Sequence, residues 1–336
     1  MRPFKYTNAR DAITAAKLQA ENKQAKFLAG GTNLLDLMKE GVEQPNELID
    51  ISRLDMANIN YVKGDNGKKF LHIGGLGKNT QAANHPLIRK NYPILTQAIL
   101  AGASAQIRNM ASNGGNLMQR TRCSYFYDVN MPCNKRVPGS GCGAMEGFNR
   151  MHAIFGWSEK CIAVYPSDMA VALSALDATV KVSAVGGMER AIPFNDFHRL
   201  PGEHPEKDNN LGPGEIITAI ELPENNFADH SYYLKVRDRA SYAFALVSVA
   251  AALEVQDKKI VKARIALGGV AHKPWRALAA ESFLVGKEAG TASFEQAAAA
   301  EMKNARPLEH NKFKVELGKQ SIVLALETAM NGKKSW

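Results

Sequence analysis

The chain has 336 residues, 45% of them apolar, and carries a net charge of +9 from 42 Lys and Arg against 33 Asp and Glu. That length and apolar content bury a substantial core in more than one folding unit, and no window approaches the ~18 continuous apolar residues of a membrane span. The basic residues are dispersed, in runs as short as Lys68-Lys69 and Lys333-Lys334, which excludes a nucleic-acid-binding stripe and describes a solvated surface with patches for acidic partner proteins.

The start, MRPFKYTNARDA, has neither an apolar signal core nor a twin-arginine pair, so a soluble chain is expected, cytoplasmic or carried to the periplasm with a partner. A helical pattern follows Asn8 (ARDAITAAKLQAENK). Lys26-Phe27-Leu28 then reads as a strand, Ala29 to Asn33 as a glycine turn, LLDLMKE as an amphipathic helix and ELIDIS as a further strand, a compact α/β unit. INYVKGDNGKKFLHIGG reads as a hairpin turned at Asp65-Asn66-Gly67.

Helical patterns over Pro93 to Gly102 and Ser167 to Ala178 flank a stretch from about Leu117 to Val164 that has neither period and is rich in Cys, Gly, Pro, Asn and aromatics. So long a loop, with little packed core expected of it, implies function or a bound group that orders it. TVKVSAV and EIITAIEL continue the second unit's sheet up to Pro223. From about Phe227 the pattern changes to YYLKVRD, a hairpin turned near Gln256 to Lys259, and three helical stretches, together a third, α+β unit.

A turn such as Ala29-Gly30-Gly31-Thr32-Asn33, between strand and helix, points backbone N–H groups at an anion; glycine permits close approach, and Thr32 and Asn33 add donors. Ser112-Asn113-Gly114-Gly115-Asn116 repeats that chemistry, and two such loops suit a pyrophosphate, with the Gly31 and Gly115 N–H groups facing its oxygens. Either loop alone is an ordinary turn more often than a site. Gly75-Leu76-Gly77 lacks the third glycine of a Rossmann fingerprint, and no P-loop motif is present.

All four cysteines fall between Cys123 and Cys161, separated by nine, eight and eighteen residues. Structural zinc usually shows paired C-x₂₋₄-C knuckles, absent here, and a disulfide set suits a small exported scaffold. Four soft thiolates on a long irregular loop suit a four-iron cluster, with zinc and free or disulfide-bonded cysteines as the alternatives. Tyr125, Phe126, Tyr127 and Pro132 would exclude water around it, and Arg120, Arg122, Lys135 and Arg136 would offset its charge. His152, the histidine inside the stretch, reads as lying at the surface or behind the ligands.

KFLAGGTNLLDLM, QIRNMASNGGN, PSDMAVALSALDA, KVRDRASYAFALVSVAAAL and IALGGVAHKPWRA, in that order and over nearly the whole chain, resemble the successive motifs of the FAD-binding medium subunits of the xanthine dehydrogenase and carbon monoxide dehydrogenase family. The resemblance implies an α+β fold: a two-part FAD-binding domain of the vanillyl-alcohol oxidase (PCMH) type, its halves at 1–58 and 59–225, and a smaller C-terminal domain at 226–336. It implies that Lys26, Phe27, Leu28, Ala29, Gly30, Gly31, Thr32, Asn33 and Leu34 wrap the FAD pyrophosphate, with Ser112, Gly115 and Asn116 as the second loop. Asp168 would hydrogen-bond the flavin's sugar-like chain, and Ile217 and Lys235 would contact the cofactor near its adenine and ring portions. For these last three a capping or surface role is the plain alternative.

In typical relatives only a few residues separate the second glycine loop from the Pro-Ser-Asp motif; here about fifty lie between Asn116 and Asp168, an insertion at 117–165. RTRCSYFYDVNMPCNKRVPGSGC, SEKCIA and DRASYAFALVSVAAA resemble a bacterial subgroup, heterotrimeric periplasmic aldehyde oxidoreductases, whose flavin subunit carries an extra 4Fe-4S cluster. That likeness implies Cys123, Cys133, Cys142 and Cys161 as its ligands.

The function implied is electron transfer within a molybdenum-dependent aldehyde oxidoreductase. Electrons would arrive from 2Fe-2S clusters of a small partner subunit and leave through FAD to an external acceptor, while the hydroxylation site sits with the molybdenum cofactor on a large partner. No catalytic residue is expected on this chain, and no Ser-His-Asp or H-E-x-x-H pattern is present. A flavin and iron–sulfur scaffold without turnover, or a stand-alone flavin oxidase, are the other readings.

Overall fold

The computed structural model describes residues 1–64 and 67–332; the hairpin turn expected at Asp65-Asn66 lies outside the described residues. The first sheet holds three parallel strands, Lys5–Asn8, Glu47–Asp50 and Ala25–Leu28, with Glu47–Asp50 in the middle. The helix Ala12–Glu21 packs Ala15 against Ala25 and Ile49 of this sheet and starts where the Asp11 carboxylate accepts from the Thr14 N–H at 2.7 Å. In parallel sheets ligands gather beyond the carboxyl ends of the strands. Leu28 is such an end, and the chain turns there through Gly30 and Gly31 into the helix Leu34–Lys39.

The second sheet has five strands in the order Ile59–Lys63, Lys69–Gly74, Ile216–Pro223, Thr179–Ser183 and Glu189–Pro193, all antiparallel. Leu71, Ile73, Val180, Ile220 and Leu222 form its core face against the helices Pro93–Ala101 and Asp168–Ala175. Every residue of Asp168–Ala175 is buried, because the C-terminal sheet covers its other side. That third sheet contains Ser231–Val236, Val247–Gln256, Lys259–Gly268 and the short Trp275–Arg276. Its central hairpin turns at Asp257 and Lys258, both with positive φ, the geometry of a tight two-residue turn. The helices Leu278–Leu284, Thr291–Met302 and Phe313–Met330 cover the sheet through Leu284, Phe294, Ile322 and Leu326. Among the described residues no helix is long and apolar enough to cross a membrane.

The insertion runs from the short helix Asn113–Leu117 to Asp168–Ala175 and contains one four-residue helix, Ser124–Tyr127. It is better packed than the sequence suggests: Phe126, Ala153, Ile154, Phe155 and Ile162 are each at most 2% exposed. The reason is long-range. The Ile154 and Phe155 N–H groups donate to Val270 O, Tyr165 N–H to Ala271 O and Arg306 N–H to Ile154 O. The C-terminal domain thus supplies partners that an isolated loop would lack.

Candidate functional site

Between the first sheet, the second sheet and the strap 206–215 lies a cavity of about 1140 Å³, larger than the ~300–1,000 Å³ of ordinary small-ligand pockets. The whole stretch from Lys26 to Leu34 lines it, together with Ser112, Gly115, Asn116, Asp168, Ile217 and Lys235. A Cβ on Gly30 would stand 2.0 Å from Met110 O, so the first glycine loop touches the backbone that leads into the second and no side chain fits between them. Gly31 has φ +71°, a backbone conformation that L side chains rarely adopt.

Two features of the loops differ from expectation. The Gly115 N–H donates to Ser112 Oγ at 3.1 Å, capping the helix Asn113–Leu117, so it is spent within the turn. Asn116 is likewise committed: its Nδ2 donates to Asn79 Oδ1 at 2.8 Å and its Oδ1 accepts from the Ser167 hydroxyl at 2.5 Å. These contacts fix the second loop against the buried helix at Asp168. Asn33 differs, since its Oδ1 accepts from the Arg120 N–H at 2.8 Å while its Nδ2 is buried without a partner. A buried, unpaired donor on the cavity wall calls for an acceptor, which a phosphate oxygen supplies.

Asp168 begins its helix with both oxygens engaged: Lys235 Nζ lies at 2.8 Å and the Tyr233 hydroxyl donates at 2.6 Å. Lys235 also donates to Ala101 O at 3.1 Å. Ile217 is buried beneath Gly114, whose Cβ would lie 3.4 Å from it. A dinucleotide cofactor therefore fits the residues present: glycine-lined walls, an unpaired amide and a buried ion pair face one large space.

The four cysteines are all free thiols. A hydrogen bond from the Cys161 thiol lowers Cys142 to about 6, while that bond and burial push Cys161 up. Burial pushes Cys123 up to about 12, and the neighbouring Cys133 and Cys142 add to the shift. Two imidazoles meet this group: His152 Nε2 is 3.1 Å from Cys123 Sγ, and His272 Nε2 is 3.2 Å from Cys161 Sγ. Among the described residues no three His, Cys, Asp or Glu side chains are drawn round a single metal ion. The four sulfurs are a soft donor set, of the kind that iron–sulfur clusters and zinc both take.

The cations expected to offset a cluster's charge are mostly neutralised already. Arg120 donates to Asp208 at 2.7 Å and Glu43 at 2.6 Å, Lys135 to Asp208 at 2.6 Å, and Arg122 to Asp36 at 2.9 Å. Arg136 instead grips the carbonyls of Tyr125 and Phe126 at 3.0 and 2.7 Å and fixes the loop. A smaller cavity of about 230 Å³ adjoins the large one; Arg122, Pro166, Asp168 and Phe244 line both, and it reaches Cys123 and His152. Tyr233, Asn79 and Asp208 carry no local motif, and His272 lies in the stretch IALGGVAHKPWRA without being singled out there; sequence reasoning missed all four.

The family profile described as the FAD binding domain in molybdopterin dehydrogenase matches residues 2–225, and that of the CO dehydrogenase flavoprotein C-terminal domain matches residues 232–329. The chain is 47% identical over 329 residues to the aldehyde oxidoreductase FAD-binding subunit PaoB of Escherichia coli (strain K12), covering 98% of this chain and 99% of that one. It is 28% identical to the glyceraldehyde dehydrogenase medium chain of Sulfolobus acidocaldarius, covering 85% and 82% respectively. Solved structures share the fold: carbon monoxide dehydrogenase from Hydrogenophaga pseudoflava has a TM-score of 0.76 at 23% identity, covering 98% of both chains, and quinoline 2-oxidoreductase from Pseudomonas putida 86 has 0.75 at 23%, also covering 98% of both. Fold and cavity thus define a flavin-binding oxidoreductase subunit of molybdopterin-dehydrogenase type. The chain belongs to the FAD-binding medium subunits of the xanthine dehydrogenase and carbon monoxide dehydrogenase family.

Proposed function

We propose that this chain is the FAD- and iron–sulfur-carrying electron-transfer subunit of a molybdenum-dependent aldehyde oxidoreductase, working beside a large molybdenum-cofactor subunit and a small 2Fe-2S subunit. The observation that carries it is the 1140 Å³ cavity bounded by both glycine loops and by the Asp168–Lys235 pair, beside the four-cysteine insertion. The relation to an aldehyde oxidoreductase subunit over the full chain supports aldehyde chemistry in particular.

Bound FAD supplies a carrier that takes electrons in pairs and releases them singly or in pairs. The chain's own residues do the rest. Lys26 to Leu34 enclose the pyrophosphate, with the Asn33 amide as donor and Gly30 and Gly31 allowing close approach. Ser112, Gly115 and Asn116 shape the opposite wall. Asp168, held by Lys235 and Tyr233, offers the sugar-like chain a fixed acceptor, and Ile217 gives an apolar floor. Cys123, Cys133, Cys142 and Cys161 hold a 4Fe-4S cluster. In this reading residues 1–58 and 59–225 are the halves of a flavin domain of vanillyl-alcohol oxidase type, with 226–336 as the C-terminal domain.

The test is anaerobic addition of aldehyde to the purified complex. Bleaching of the flavin absorption is expected. An unchanged spectrum with active molybdenum centre favours the scaffold reading, and alcohol turnover by the isolated chain favours the stand-alone oxidase.

A further inference from the structure

Lys314 is completely buried, yet its ammonium meets no carboxylate among the described residues; it donates to His152 O at 3.0 Å and to Gly269 O at 2.8 Å. An ammonium taken out of water to grip two carbonyls costs stability that an apolar side chain of that length would avoid, so the contact calls for another role. The two carbonyls belong to segments that have one thing in common. One carries His152, whose Nε2 lies 3.1 Å from Cys123 Sγ; the other leads within three residues to His272, whose Nε2 lies 3.2 Å from Cys161 Sγ. Asn311, also fully buried, adds 3.2 Å bonds to His152 O and Ala153 O.

In both imidazoles Nδ1 is buried without a partner. A proton on Nδ1 would leave a buried N–H orphaned, whereas the Nε2–H tautomer puts the proton on the sulfur-facing side. Each ring is thus set to donate to its cysteine.

We infer that His152 and His272 donate Nε2–H hydrogen bonds to the Cys123 and Cys161 sulfurs and set the reduction potential of the cysteine-bound centre, and that Lys314 is the positioning residue that seats both rings. This rests on the proposed 4Fe-4S cluster. Donors to cluster sulfurs stabilise the more negative, reduced state and raise the potential. The C-terminal domain is then part of the iron–sulfur centre, contributing His272 and Lys314.

The experiment is an EPR-monitored redox titration of the purified complex, with iron quantified in every sample. His152→Leu and His272→Leu are each expected to keep wild-type iron and lower the cluster midpoint potential. His152→Gln, which retains an N–H donor, recovers part of that shift. Lys314→Met lowers the potential too, and adds little when combined with both Leu substitutions; should it not fold, the histidine variants carry the test alone. Full iron with unmoved potentials in both Leu variants overturns the inference. Iron lost from either Leu variant also overturns it, by making that histidine a ligand. Wild-type complex without iron in this chain removes the cluster reading itself, a separate and distinguishable failure.

Discussion

Arg120 Nε donates to Asp208 Oδ2 at 2.7 Å, fastening the start of the cysteine-rich insertion to the strap 206–215 on the far wall of the large cavity. The same residue donates its backbone N–H to Asn33 Oδ1 in the first glycine loop. Insertion, strap and glycine loop therefore meet in one residue, through its side chain and its backbone.

Asp208 also neutralises Lys135, whose side chain is 2% exposed. Breaking a buried pair leaves an uncompensated charge, at about 3–5 kcal/mol. Asp208→Asn is expected to lower the unfolding free energy by about that much in urea titration. A loss under about 1 kcal/mol would show that Lys135 finds water or another partner.

The carboxyl of Asp208 titrates unusually low. Burial alone would raise it, but Lys135 and Arg120 outweigh burial and hold it at about 2. A folded value below the ordinary ~3.9 means that the contribution is fully present above that pH and is lost as pH falls towards 2; at neutral pH it is on the order of 2 kcal/mol. Acid-unfolding curves of wild type should drop through this window more steeply than those of Asp208→Asn. Parallel curves contradict the assignment.

Gly30→Ala tests the contact of the first glycine loop with the backbone that leads into the second. Its Cβ would stand 2.0 Å from Met110 O, a backbone atom that cannot rotate away. Separating the loops should reduce flavin affinity tenfold or more, about 1.4 kcal/mol at least. Acid-released flavin measured per chain reads this out; wild-type occupancy would mean that the loops do not grip the cofactor together.

Asp168→Ala strips Lys235, itself 4% exposed on its side chain, of its carboxylate. A destabilisation of about 3–5 kcal/mol is expected, along with weaker flavin retention. Lys235→Met combined with Asp168→Ala should restore much of the stability but not the flavin. Recovery of both would reduce the pair to a structural role.

Much of the architecture is legible locally. The strand Ala25–Leu28, its glycine turn and the helix Leu34–Lys39 declare themselves by a short apolar run, paired glycines and a helical period; the hairpin at Asp257-Lys258 does so by polar turn residues between two apolar runs. Lys5–Asn8 was not legible, because four mostly exposed residues make a strand only by pairing with Glu47–Asp50 forty positions away. The insertion's packing was hidden for the same reason, since Val270, Ala271 and Arg306 lie far along the chain. His272 sits in the motif IALGGVAHKPWRA, which says nothing of cysteines, and Lys314 in none, and only the fold brings them to the cysteines. The sequence marks Arg120, Arg122 and Lys135 as cations near a cluster, but their pairing with Asp208, Glu43 and Asp36 needs three dimensions.

The most direct test is the FAD and iron content of the purified chain, measured beside the four single Cys→Ser variants. We predict one FAD and about four iron atoms per wild-type chain, with iron lost from each variant at Cys123, Cys133, Cys142 and Cys161 while FAD is retained. Wild-type protein with no FAD would contradict the assignment of the large cavity; full iron in any one variant would remove that cysteine from the ligand set.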